Sequence, residues 1–191
     1  MNTLFAIKTG MTGKFSPQGE RYGGTVLQIL PMQVLDLRTK EKHGYDALRF
    51  KITDSRFKKK YLTREVRTEE VLEPKAIIKL EEVIKVGDTV AVTGITKGKG
   101  FAGGVKRHGF HGGPRTHGQS DRERAPGASG TGTTPGRVLK GKRMAGHLGV
   151  TKVTISGLKV METDPEKSQV TIKGAVPGAD RFTLLTIVKK S

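Results

Sequence analysis

Cysteine is absent from all 191 residues. Disulfides, thiolate metal sites and cysteine nucleophiles are thereby excluded, and a cytosolic setting fits. Tryptophan is also absent, and aromatic residues make up only 5% of the chain. That is too few for a platform on which successive single-stranded bases stack. No apolar run approaches the roughly 18 residues of a membrane-crossing helix. The N-terminal MNTLFAIKTGMTG lacks the basic start and long apolar core of a secretory signal. Acids are scarce: 18 Asp and Glu face 35 Lys and Arg, which leaves a net charge of +17 and a pI near 10.2. Such an excess of one sign favours a nucleic acid or another anionic surface as partner. Hydrophobic residues reach 34%, below the usual globular share.

That apolar deficit and much of the charge fall on one stretch, Lys97 to Gly149. Its cations are Lys97, Lys99, Lys106, Arg107, Arg115, Arg122, Arg124, Arg137, Lys140, Lys142 and Arg143. Asp121 and Glu123 are its only acids, so it carries +9. Glycine recurs throughout and large apolar residues are scarce, so the stretch cannot bury enough apolar surface to fold by itself. It reads as a long arm that orders against nucleic acid. The two ends of the chain, 1–96 and 150–191, form the body that carries it.

Those ends have the signals of short strands. Leu4 to Lys8 is an apolar run ended by Gly10, and Ser16-Pro17-Gln18-Gly19 has turn chemistry. Thr25 to Leu37 is rich in Val, Leu and Ile and is interrupted by Pro31. Thr39 to Gly44 is polar and turn-like. In Tyr45 to Thr53, Leu48, Phe50 and Ile52 alternate with Arg49 and Lys51. Phe57 to Tyr61 is a small basic cluster between aromatics, equally a solvated loop or a contact surface. Thr68-Glu69-Glu70 has the chemistry of a short helix start, closed by Pro74. Ala76 to Val86 favours strand over helix, and Val86-Gly87-Asp88 is a turn before a strand at Thr89 to Thr93. Strand signals return at Val153, Ile155, Leu158 to Met161, Val170 to Lys173 and Phe182 to Val188. Many short strands and little helix indicate a β-barrel or sandwich.

Weighed by chemistry, the arm points to binding. Glycines beside Lys97 and Lys99 let backbone N–H groups and ammonium heads come close to phosphates. The P-loop spacing is missing, because Gly141-Lys142 is followed by Arg143. Four of the five histidines, His108, His111, His117 and His147, lie in the arm. Without cysteine, HExxH spacing or an acidic third ligand, they suit bases and phosphates better than zinc. His117, Ser120 and Asp121 are neighbours in sequence, but a triad is assembled in space by rigid elements. Asp121 and Glu123 sit beside Arg122 and Arg124, which suits charge balance better than acid–base work. No catalytic residue, metal, cofactor or small-molecule substrate is expected. Arg115, Arg122, Arg124, Arg137 and Arg143 can fork to phosphates or stack on bases. Folded RNA read by shape and backbone is the expected target. A DNA- or RNA-compacting architectural protein shares the charge, though the arm lacks the apolar wedges that kink duplexes.

Several blocks carry a resemblance to a known family. They are Gly10-Met11-Thr12, Val92-Thr93-Gly94 running into Thr96-Lys97-Gly98-Lys99-Gly100-Phe101, Lys106-Arg107-His108, Thr116-His117-Gly118 and Pro135-Gly136-Arg137-Val138. Lys140-Gly141-Lys142-Arg143-Met144-Ala145-Gly146 is the most specific, and Lys173-Gly174-Ala175-Val176-Pro177-Gly178 completes the series. In this order they resemble ribosomal protein L three, the universal large-subunit protein, in its bacterial-type form. The resemblance implies a mainly β fold: a translation-factor-type barrel, an α+β insertion at about 40–86 and a long irregular basic extension at 97–149. It implies a cytoplasmic protein within the ribosome, with large-subunit rRNA and neighbouring large-subunit proteins as partners, no membrane and no enzymatic activity. It implies early rRNA binding during subunit assembly.

On the same resemblance, rRNA contacts fall to Lys97, Lys99, Lys106, Arg107, His108, Arg115, His117, Arg122, Arg124, Arg137, Lys140, Lys142 and Arg143. The arm's tip, Gly130, Thr131, Gly132, Thr133, Thr134 and Pro135, is expected to approach the peptidyl transferase centre. The chain departs from the family pattern at three places. Thr133 stands where many bacterial members have a methylated glutamine, Gly127-Ala128-Ser129-Gly130 replaces the usual Gly-Ser-Ile-Gly, and Leu62 to Pro74 is shortened.

One outcome tests the arm. In the free protein, amides from Lys97 to Gly149 should exchange rapidly with solvent, and protection should appear only on rRNA; protection already present in the free chain would overturn folding on binding.

Overall fold

Alternation of apolar and polar residues decides which face each strand of this computed structural model buries. The structure describes all residues except Pro17, 55–60, Glu69, Val71, Ser120, Arg181, Phe182 and Ser191. The basic cluster at 57–60 therefore lies outside the described residues. Strands account for 44% of the described residues and helix for 7%. The chain divides into two units, one of residues 1–97 with 151–191 and one of residues 98–150.

In the first unit six strands close a barrel. They are β1 (Thr3–Phe15), β2 (Arg21–Ile29), β7 (Thr89–Ile95), β10 (Lys152–Asp164), β11 (Gln169–Lys173) and β12 (Leu184–Lys189). Their order around the barrel is β1-β12-β7-β10-β11-β2, with every neighbour antiparallel. Closure leaves no unpaired edge to recruit another chain. The two 13-residue strands, β1 and β10, bend at bulges between Lys8 and Gly10, between Ile155 and Leu158, and between Val160 and Glu162. A bulge adds an unpaired residue and sharpens the local twist, which lets one strand turn a barrel corner.

A second, four-stranded sheet has the order β5-β4-β3-β6, from β3 (Met32–Arg38), β4 (Ala47–Ile52), β5 (Leu62–Arg67) and β6 (Ile77–Ile78). It begins at Met32, earlier than residue 40. Two four-residue helices accompany it, α1 (Lys40–His43) and α2 (Leu80–Val83). Leu48, Phe50 and Ile52 of β4 are fully buried, as their alternation requires. They join Met32 and Val34 of β3 and Leu4, Ile7, Leu27, Ile172, Leu185 and Ile187 of the barrel in one core cluster. The Leu30 amide donates to the Phe5 carbonyl at 2.9 Å, which seats the connection at Pro31 against the barrel.

Some local expectations differ from what forms. β1 runs on through Gly10, because the glycine falls at a bulge rather than at a strand end. Residues 62–67 are a strand, with all six residues paired to β4, and the described residues from Thr68 to Glu73 are not helical. The ladder to β4 makes 62–67 a strand where no local propensity decides. Thr39 to Gly44 holds the helical turn α1, and Ala76 to Val86 divides between β6 and α2. Among the described residues no helix is long and apolar enough to cross a membrane.

Asp88 ties the start of β7 to the end of β12. Its carboxylate accepts from Lys189 Nζ at 2.7 Å and from the Lys85 amide at 2.8 Å. The Lys189 bond first, then the Lys85 amide, holds its pKa below the ordinary 3.8, against a smaller opposing effect of desolvation. A depressed carboxylate stabilises the fold above its unfolded pKa, and that contribution is lost as pH falls through the folded value. Asp88→Asn should therefore melt at a lower temperature than the parent at neutral pH. The gap should close as pH falls below about 3.8, the ordinary value; melting curves at stepped pH read it.

Candidate nucleic-acid interface

Antiparallel pairing at the foot of the second unit holds its two ends together. β8 (Phe101–Ala102) pairs with β9 (Gly146–His147), and the Phe101 ring meets the His147 ring edge-on at 5.9 Å. The Lys99 amide donates to Leu148 O at 2.9 Å, and the Leu148 amide to Gly100 O at 3.0 Å. Ala102 is the buried hydrophobic residue of this unit, and nearly all else lies at or near the surface.

Helix α3 (Gly104–His108) follows, ended by Gly109 in the left-handed conformation. Lys106, Arg107 and His108 crowd its last turn, where cations complement the helix dipole. Arg107 Nη1 donates to the Met144 carbonyl at 2.7 Å, and His108 Nε2 lies 3.0 Å from the same oxygen. These bonds join the helix to the returning chain. The Phe110 ring packs so closely over Gly104 that a Cβ there would stand 2.8 Å from it.

Beyond α3 the backbone crosses itself. The Gly113 amide donates to the carbonyls of Arg122 and Glu123, at 3.1 and 3.2 Å. Gly112 has φ 74°, and a Cβ on it would sit 1.9 Å from the Glu123 carbonyl oxygen. Arg115 Nε donates to Glu123 Oε1 at 2.8 Å across the same crossing. Farther on, the chain reverses over 130–137. Thr131 Oγ1 donates to Thr134 O at 3.0 Å, and Lys142 Nζ donates to Ala128 O at 2.7 Å across the two limbs. Gly130, Thr131, Gly132, Thr133, Thr134 and Pro135 are all exposed.

The candidate RNA contacts fall into two groups. Arg107, His108, Arg115 and Lys142 have protein partners. Lys97, Lys99, Lys106, His117, Arg122, Arg124, Arg137, Lys140 and Arg143 are exposed, and none of their side chains has a hydrogen-bonding or ion-pair partner among the described residues. A charged head without an internal partner is available to a phosphate at no cost in broken bonds. Asp121 and His117 are exposed as well, and their neighbour Ser120 lies outside the described residues. No three His, Asp or Glu converge as a metal set among the described residues.

The model of the family described as Ribosomal protein L3 matches residues 62–176, which takes in the whole second unit. Relatives cover nearly the full chain. One is "Large ribosomal subunit protein uL3" of Legionella pneumophila, 36% identical over 207 residues, covering 98% of this chain and 96% of that protein. Proteins of the same name from Acetivibrio thermocellus and Acinetobacter baylyi are each 40% identical over 195 residues and cover 92% of this chain. They are covered over 91% and 92% of their own lengths, respectively. The chain belongs to the ribosomal protein L3 family.

In this L3-family chain, charge and glycine pick out the basic residues of the second unit. They do not pick out Phe101, whose ring meets His147, Phe110, whose ring packs over Gly104 and near His108, or Met144, whose carbonyl receives Arg107. The signal was available: these are large apolar residues in a mostly polar stretch, together with Val105, Val138, Leu139 and Leu148.

The crossing at Gly112 supplies a direct check. With the arm ordered, Gly112→Ala should speed amide exchange at Gly113 about tenfold or more, in line with roughly 1–3 kcal/mol of backbone strain. Gly118→Ala also has positive φ but meets nothing within 4 Å, and should leave the Gly113 amide unchanged.

Proposed function

We propose that this chain binds large-subunit rRNA early in subunit assembly and extends residues 97–149 into it, with 130–135 directed toward the peptidyl transferase centre. As a member of the L3 family the chain is a structural constituent of the large ribosomal subunit and not an enzyme. The single observation that carries the finer reading is the set of exposed, unpartnered cations between Lys97 and Arg143. Packing RNA helices together crowds phosphates, and the repulsion must be neutralised where water and ions have little room. A thin, glycine-rich polycation fits such gaps, where a folded domain would not. The body, residues 1–96 and 150–191, docks and anchors; the extension neutralises. Neighbouring large-subunit proteins complete its surroundings in the cytoplasmic ribosome. Family membership lends no support to a compacting protein acting outside the ribosome, and that alternative is set aside.

Salt dependence tests the reading. Each phosphate contact contributes about 0.9 to the slope of log affinity against log salt on duplex and about 0.7 on single strands. Replacing Lys140, Lys142 and Arg143 together with Ala should weaken binding to an rRNA fragment and flatten that slope by about 2–3. An unchanged slope would remove these residues from the phosphate contacts. Failure of the chain to travel with large subunits after a high-salt wash would remove the reading itself.

A further inference from the structure

Within residues 98–150 the chain folds around a cavity of about 410 Å³. Its lining brings the apolar side chains of Phe110, Met144 and Ala145 together with the cations Arg124, Lys142 and Arg143, and it contains no acid. Three contacts hold the walls. Lys142 Nζ bonds to Ala128 O, Phe110 is seated over Gly104, and Arg107 and His108 both reach the Met144 carbonyl. Of the three lining cations, Lys142 makes this one internal bond, whereas the side chains of Arg124 and Arg143 are exposed and show no partner among the described residues.

The chemistry of the lining selects its occupant. An apolar side chain from a protein would gain from Phe110 and Met144 but leave the cations unanswered. A free inorganic anion would answer the cations and leave the apolar walls wet. A nucleotide satisfies both, with a flat apolar base joined to a phosphate of fixed charge. Ligand pockets run from about 300 to 1,000 Å³, so this cavity takes one nucleotide and not a duplex. RNA readers commonly splay single bases out of loops and stack them on aromatic rings or guanidinium planes. We propose that this cavity receives one unstacked nucleobase of the large-subunit rRNA, stacked against Phe110, with Arg124 and Arg143 on its flanking phosphates. The proposal rests on the rRNA-binding reading and adds to it a point of base capture, which charge alone does not supply.

The test uses large subunits reconstituted with the full chain, as wild type, Ala145→Leu or Phe110→Leu. The first substitution fills the cavity, and the second removes the flat ring while keeping an apolar side chain. Dimethyl sulfate and a carbodiimide probe base edges, and hydroxyl radicals probe the RNA backbone. A nucleotide shielded by the wild-type chain should become reactive, about tenfold or more, in both variants, while the backbone footprint persists. Base reactivity identical to wild type, with the backbone footprint in place, would overturn base capture and leave rRNA binding standing. No backbone footprint even from the wild-type chain would overturn both. Should Ala145→Leu lose its footprint through misfolding, Phe110→Leu decides by the same readout.

Discussion

Pairing of β7 with β10 is the constraint on which the rest of the molecule depends. Ile95 opposes Lys152, and Thr96 and Thr151 share both a backbone bond at 3.0 Å and a hydroxyl contact at 3.1 Å. The chain thus leaves the barrel and re-enters it at one place, with the residues of the second unit spent in between. Closing a long loop costs little more than closing a short one, about 0.6 kcal/mol for each doubling of length. Two adjacent barrel strands can therefore carry a very long excursion without surrendering their ladder. The barrel core, with Val90 and Val92 fully buried on β7, supplies the stability that such a ladder needs.

Inside the excursion the governing term is charge rather than burial. Its cations outnumber its acids 11 to 2, counting from Lys97 to Gly149. At physiological salt, charges within about 8 Å of one another still interact strongly. Self-repulsion opposes any compact arrangement, and almost no buried apolar area opposes it in return. A polyanion reverses the sign of that balance. On the rRNA-binding proposal, the same charges that oppose compaction in isolation favour order against RNA.

The sequence exposed the local pattern well and the long-range pairing poorly. Alternation at Leu48, Phe50 and Ile52 identified β4 and its buried face, Pro31 marked the break between β2 and β3, and Gly87 marked the turn into β7. Nothing local states that β1, which forms a hairpin with β2, must also pair with β12, because that register is set by contacts some 180 residues apart. β5 shows the same gap in miniature: Leu62 to Arg67 has no decisive propensity and becomes a strand because β4 offers it a ladder. In the basic stretch, composition and motif blocks located the candidate residues, but not the crossing at Gly112 or the cavity beside Phe110. Both depend on contacts between separate segments of the chain, which charge counting cannot register.

How the second unit is tied internally bears on why it keeps its charge. Arg107 and Lys142 are held by the carbonyls of Met144 and Ala128, and His108 lies against the same Met144 oxygen. A carbonyl orients a cation through its dipole and leaves the net charge in place, whereas a carboxylate cancels it. Among the described residues of this unit, the one ion pair is Arg115 with Glu123. Had the limbs been joined by several such pairs, the unit would hold its shape more firmly alone and carry less positive charge to a phosphate. Backbone acceptors give geometry without neutralisation. If the segment's use is the phosphate contact proposed above, positive charge held in a defined place is what such acceptors preserve.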